Sequence, residues 1–133
     1  MHATILDERT LTERDFARLT KLLGGHLPQE LADLLSAGEI VQSRQVGANV
    51  VTMYSQVELV DVHTRRRQKL TVCYPGDAEP AAGFISVLSP VGMSLLGLRA
   101  GAVAKWRTPS GEECAAEVSA VLFQPGASGD YSI

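Results

Sequence analysis

The stretch from Gly83 to Leu98, GFISVLSPVGMSLLGL, constrains the fold more than any other part of this chain. Phe84, Ile85 and Val87 are aromatic or β-branched and suit a pleated, half-buried surface. The run stops at Ser89-Pro90: a serine hydroxyl can accept from the free N–H groups of a helix start, and proline, lacking an N–H, fits the first helical position. Met93, Leu95 and Leu96 then give an apolar face, and Gly97 suits a left-handed helix end. A helix this short is not stable alone in water, so the pattern predicts that it lies on a sheet.

The sheet is readable on both sides of that switch. Ala102 to Arg107 reads as a strand, Thr108-Pro109-Ser110-Gly111 as a turn, and Glu113 to Phe123 as a longer strand. Alternation puts Cys114, Ala116, Val118, Ala120 and Leu122 on its buried side and Glu113, Glu117 and Ser119 on its wet side. Upstream, residues 54–62 alternate with Val57 and Leu59 inward, and residues 69–74 with Leu70, Val72 and Tyr74 inward. His63 to Gln68 reads as a polar hairpin loop, and the Pro- and Gly-rich stretch 75–83 as the longest loop. The predicted order is β, β, loop, β, α, β, β.

The first 49 residues have helical periodicity. Thr12-Glu13-Arg14-Asp15 resembles a capping start, with Asp in place of the preferred Glu or Gln, and Phe16, Leu19, Leu22 and Leu23 follow at helical spacing. Gly24-Gly25-His26 breaks that helix. Leu27-Pro28 opens a second one carrying Leu31, Leu34 and Leu35, and Gly38 interrupts it before Ile40 and Val41. Two short antiparallel helices are expected, with Phe16, Leu19 and Leu22 facing Leu31, Leu34 and Leu35, and residues 45–49 as a linker. The predicted division is a hairpin and linker over 1–49 and a sheet domain over 50–133.

The whole chain narrows the function classes. Its 133 residues suffice for one core of about 80 residues plus an appendage. Twelve Lys and Arg against 15 Asp and Glu give a formal charge of −3, which disfavours autonomous binding to duplex DNA. Cys73 and Cys114 stand apart in apolar strand patterns and read as buried strand filler. The start of the chain lacks a cationic and apolar leader pattern, and no stretch approaches the roughly 20 apolar residues of a membrane span, so a cytoplasmic protein is expected. His2, His26 and His63 are scattered, and Gly92-x4-Gly97 lacks the lysine of a phosphate loop. The residues therefore predict no catalytic group, metal or cofactor, and a protein that is not an enzyme.

Several words in the chain carry a family resemblance. They are ISVLSPVGMSLLGL from Ile85 to Leu98, with Ser89, Pro90, Gly92 and Gly97; the Gly101 turn; and W-x-x-P-x-G at Trp106, Pro109 and Gly111. V-x-x-Q-P-x-x-x-G-D-Y follows at Val121, Gln124, Pro125, Gly129, Asp130 and Tyr131, and Val50-Val51-Thr52-Met53 with Ser55 and Val57 matches the domain's opening. Together they resemble the C-terminal domain of Gre-type bacterial transcription factors, and within them the Rnk branch, over residues 50 to 133, with the first 49 matching only in outline. The resemblance implies an α+β fold, a short antiparallel helical hairpin followed by an FKBP-like antiparallel sheet wrapped around one short helix. It also implies a hairpin that enters the secondary channel of RNA polymerase, and the Rnk name suggests an indirect link to nucleoside diphosphate kinase. Ala102, Gly126 and Tyr54 depart from the family pattern at turn positions.

On that resemblance the hairpin tip is a partner-binding candidate, through His26, Gln29, Glu30 and Asp33. Gre-type cleavage factors use acidic tip residues to help hold a metal ion. Here only Glu30 is close to the turn, with Asp33 one helical turn back, and the arms are short, so transcript cleavage is not expected to be stimulated. The second candidate surface is Arg65, Arg66, Arg67 and Lys69 with Trp106, weighed against a solvated loop and a tryptophan packed at the sheet edge beside the Pro109 turn. Two other classes remain open from the sequence, a peptidyl-prolyl isomerase-like enzyme and a structural dimerisation module; the oligomeric state is not encoded in a readable way.

Overall fold

The computed structural model describes residues 9–22, 28–42 and 46–125. His26, Gly126, Gly129, Asp130 and Tyr131 lie outside the described residues. Ten elements are described: β1 Thr10–Thr12, α1 Glu13–Leu22, α2 Gln29–Ala37, β2 Glu39–Val41, β3 Gln56–Asp61, β4 Arg67–Cys73, β5 Phe84–Ser86, α3 Pro90–Leu95, β6 Val103–Arg107 and β7 Glu113–Phe123. Short 3-10 turns at Pro75–Asp77 and Pro80–Ala82 fill the stretch between β4 and β5.

α1 begins, and α2 begins and ends, where the sequence signals fall; the break expected at residues 24–26 lies outside the described residues. The Thr12 hydroxyl oxygen accepts the Asp15 N–H at 3.0 Å, capping α1, and Gly38 closes α2 by donating its N–H to the Leu34 carbonyl. Ile40 and Val41 do not trail off into a linker. They form β2, which pairs in parallel with β1, Leu11 opposite Ile40, and so clasps the base of the helix pair.

The main sheet has the order β5-β4-β3-β7-β6. The α+β, FKBP-like plan is as expected, with one refinement: three pairings are antiparallel, while β5 runs parallel to β4. A parallel neighbour needs a crossover rather than a tight hairpin, and residues 74–83 supply it. In β7 the alternation breaks at two register shifts against β3. Val118 opposes Leu59 but Val121 opposes Val57, so Val121 packs against the core while Leu122, expected inside, is 46% exposed.

α3 is seated by its cap and by a missing side chain. The Ser89 hydroxyl accepts the Gly92 N–H at 3.1 Å, and Pro90 occupies the first turn. A Cβ on Gly92 would overlap the Ser86 carbonyl oxygen and come within 2.9 Å of the Val87 Cα, so only glycine lets the helix approach β5 this closely. Gly97 then takes φ +84°, donates its N–H to the Val51 carbonyl at 2.8 Å and accepts the Thr10 N–H at 3.0 Å. Gly101 and Gly111 hold the turns on either side of β6 at positive φ, the latter beside Pro109.

One apolar cluster joins the helices to the sheet. Leu11, Leu19, Leu31 and Leu35 are buried with Met53, Val57, Val72, Leu95, Leu96 and Val118. The expected helix seam is therefore continuous with the sheet's core; Phe16 and Leu34 are half-buried against it, and Leu22 is exposed. Gln124, buried, donates its Nε2 to the carbonyls of Gly47 at 2.6 Å and Val50 at 2.9 Å, and Pro125 beside it is buried too. Cys73 is buried and Cys114 half-buried, both as free thiols.

Candidate functional site

A cleft of about 710 Å³ separates α2 from β6 and α3. Glu30, Asp33, Leu34 and Ala37 recur at the spacing of one helical face and line it from α2. Lys105, Trp106, Arg107 and Thr108 line it from β6, and Pro90, Met93 and Ser94 from α3. Arg9 closes one end, its Nη1 donating to the carbonyls of Leu96 at 2.9 Å and Ser94 at 3.1 Å, where a cation suits the helix C-terminus.

Trp106 is the pivot of this region. Ala104 and Trp106 point inward from β6, while Val103, Lys105 and Arg107 are exposed. The indole is half-buried and packs against the core, the plainer of the two readings from sequence. It also lines a second cavity of about 710 Å³, with Leu59, Arg66, Arg67 and Gln68 among its other walls, and a third of about 380 Å³ that includes His63 and Cys114. Trp106 thus stands between the acidic residues of α2 and part of the basic cluster.

That basic cluster is divided by the strand register. Arg67 and Gln68, expected in the loop, belong to β4 because they pair with Val60 and Leu59 of β3. The turn itself is held by the Asp61 carboxylate, which accepts the N–H groups of His63 and Thr64 at 2.8 Å each; these bonds hold its carboxyl below the usual value. Arg65 sits in that turn at φ +63°, and Arg66 is exposed beside it. Arg67 donates to the Glu58 carboxylate at 2.9 Å, as does the Ser119 hydroxyl at 2.9 Å, and Lys69 lies opposite Glu58 in the register. The Ser119 hydroxyl first, then Arg67 and Lys69, hold Glu58 below its ordinary pKa.

The structure brings Glu30, Asp33 and Trp106 to one cleft, and Arg66 and Arg67 to its neighbour; Arg65 and Lys69 line neither. Gln29 does not line the cleft and donates to Asp33 Oδ1 at 2.7 Å along the helix. Sequence reasoning missed Arg9, which no local pattern marks, and took Met93 only as part of the apolar face of α3. It also took Asp15 only as a cap residue. Asp15 is buried, accepts the Met53 N–H at 3.0 Å, and is pushed up to about 6, chiefly by burial and against the pull of that hydrogen bond. Nearby, Tyr54 adopts φ +65°, where a small polar residue would sit with less strain. Its hydroxyl donates to the Asp77 carboxylate and its ring meets Tyr74 at 5.7 Å between centroids. Burial, then Asp77, pushes the Tyr54 phenol up to about 12.

Among the described residues, no helix is long and apolar enough to cross a membrane. Comparison with known proteins gives a consistent picture. The family described as "Transcription elongation factor, GreA/GreB, C-term" matches residues 46–123. The "Regulator of nucleoside diphosphate kinase" of Escherichia coli (strain K12) is 33% identical over 105 residues, covering 76% of this chain and 77% of that protein. The "Transcription elongation factor GreA" of Nautilia profundicola is 34% identical over 82 residues, 62% of this chain and 51% of the relative, so the match spans about half of that protein. A solved structure, "Prokaryotic transcription elongation factor GreA/GreB from Nitrosomonas europaea", superposes with a TM-score of 0.73 at 30% identity, covering 87% of this chain and 98% of that one. With the cap, glycine and sheet features of that fold in place, the chain belongs to the GreA/GreB C-terminal domain family of transcription elongation factors.

Proposed function

We propose that this protein is a transcription regulator that binds bacterial RNA polymerase and works by occupying the secondary channel, without stimulating transcript cleavage. The observation that carries this reading is the stature of the helix pair. α1 has 10 residues and α2 has 9, which at about 1.5 Å per residue gives arms of roughly 15 Å. Leu19, Leu31 and Leu35 are spent in the core shared with the sheet, so the arms lie against the body. Glu30 and Asp33 line a cleft with Lys105 and Arg107, whereas holding a hard cation needs several carboxylate oxygens directed at one point. These features support the reading of a partner-binding factor rather than an enzyme. Among the described residues, Trp106 is the one Trp, Tyr or Phe on the wall of each of the three cavities around it, which gives a prolyl ring little aromatic surface.

The test is a calorimetric titration against core RNA polymerase, with GreA as competitor, followed by a cleavage assay on backtracked complexes. Saturable binding that GreA displaces, with no increase in cleavage, is expected. Binding that GreA leaves untouched would remove the channel, and stimulated cleavage would remove the blunt hairpin. Replacing Arg65, Arg66 and Arg67 with Ala tests the basic surface: unchanged affinity at physiological salt assigns these side chains to solvent and to the Glu58 pair.

A further inference from the structure

β6 ends the sheet, and its free side faces the cleft. The Val118 N–H donates to the Ala102 carbonyl at 2.9 Å and the Thr108 N–H to the Glu112 carbonyl at 2.8 Å. Antiparallel pairing alternates, so residues 104 and 106 also bond to β7, while Val103, Lys105 and Arg107 turn their N–H and C=O groups to the open edge. Val103 is 43% exposed. β5, at the other end of the sheet, has only three residues. β6 is thus a five-residue edge with a groove beside it that holds Trp106 and Met93.

The charges around this edge have a definite pattern. Lys105 lies on the outer face opposite Ala115, with no acid across from it on β7, and Arg107 shares Glu113 through a bond at 3.1 Å between two well-exposed side chains. Across the cleft, Glu30 and Asp33 of α2 face Arg9, Lys105 and Arg107, with Met93 and Trp106 between them. A strand laid along β6 therefore meets Lys105 and Arg107 with its outward side chains and the apolar surface of Trp106 and Met93 with its inward ones. A second copy of this chain fits poorly. Antiparallel self-pairing centred on β6 sets Lys105 against Lys105, and this is how edge lysines prevent sheet-to-sheet association.

We propose that the β6 edge takes up an extended segment of a partner protein by strand addition, with acidic side chains on its outward face and apolar ones directed at Trp106 and Met93. This site goes beyond polymerase binding by the helix pair and does not rest on it. Main-chain bonds from Val103, Lys105 and Arg107 supply the affinity, Lys105 selects the outward acids, and Trp106 and Met93 take the inward apolar side chains.

The test uses the full chain and a blocked peptide alternating glutamate and valine, followed by the fluorescence of Trp106, the chain's single tryptophan. Saturable binding is expected, and N-methylation of one alternate set of peptide amides weakens it tenfold or more while methylation of the other set does not. Lys105→Glu transfers the preference to a peptide alternating lysine and valine. Lys105→Pro removes one outward N–H, leaves the β7 ladder intact and weakens binding of the unmodified peptide. No fluorescence change at millimolar peptide overturns the proposal, as does equal binding of both methylated forms. So does a concentration-dependent doubling of mass by light scattering that the peptide reverses, since the occupant would then be a second copy.

Discussion

Asp15→Asn isolates what the buried carboxylate costs the fold. The folded pKa of about 6 lies some two units above the ordinary value of 3.8, and each unit corresponds to about 1.4 kcal/mol. A carboxyl whose folded pKa exceeds its unfolded one holds its proton more tightly in the folded state. It therefore penalises folding progressively as pH rises from about 4 to about 6, and the penalty is complete, at roughly 3 kcal/mol, near neutrality. Asparagine keeps an oxygen to accept the Met53 N–H and carries no charge, so the stability of the parent relative to Asp15→Asn should fall by roughly 2 kcal/mol between pH 4 and pH 7. Glu58 and Asp61 shift in the opposite sense, but they are common to both proteins and cancel in the difference. Urea denaturation of the two proteins at several pH values reads it directly. A stability difference independent of pH would refute the reasoning. So would a parent that gains on the variant as pH rises, which would mean that the bond to Met53 outweighs desolvation.

Three further substitutions test the packing. Gly92→Ala drives a methyl group into the Ser86 carbonyl and should cost about 3 kcal/mol or more, seen as a large drop in denaturation midpoint; a loss below 1 kcal/mol would mean that α3 can shift freely. Ser89→Ala removes the acceptor of the Gly92 N–H and should cost about 1 kcal/mol by the same measurement. Leu31→Ala opens a void in the shared core and should cost about 3 kcal/mol while keeping one cooperative transition. Two separated transitions by circular dichroism and Trp106 fluorescence would show the helices melting on their own.

Local signals made most of the fold legible. The cap at Ser89, the glycine at 97 and the alternations of β3, β4, β6 and β7 each depend on neighbours a few residues away, and each is found in the structure. What escaped depends on distant partners. β1 and β2 are three residues each, too short for a period, and are strands only because each finds the other. Leu122 is turned outward by a register set by β3 rather than by its own pattern. Arg67 looks like its two neighbours in sequence and is separated from them by pairing with Val60. The candidate surface was half legible for the same reason. Glu30, Asp33 and Trp106 could be named singly, but the cleft that unites them is made by α2, α3 and β6 meeting across more than half the chain.

The contacts of Arg9 and Thr10 also set an order of events. Arg9 reaches the Leu96 carbonyl and Thr10 the Gly97 carbonyl, across some 87 residues, and Gln124 reaches back to the carbonyls of Gly47 and Val50. A segment made long before residue 96 is thus among the last to find its place. Until α3 is made and seated, the apolar faces carrying Leu11, Leu19 and Leu31 lack the surface they bury against. During synthesis those leucines are the stretch most in need of a chaperone's shelter, and a chain truncated before residue 96 should aggregate through its N-terminal helices rather than through an unfinished sheet.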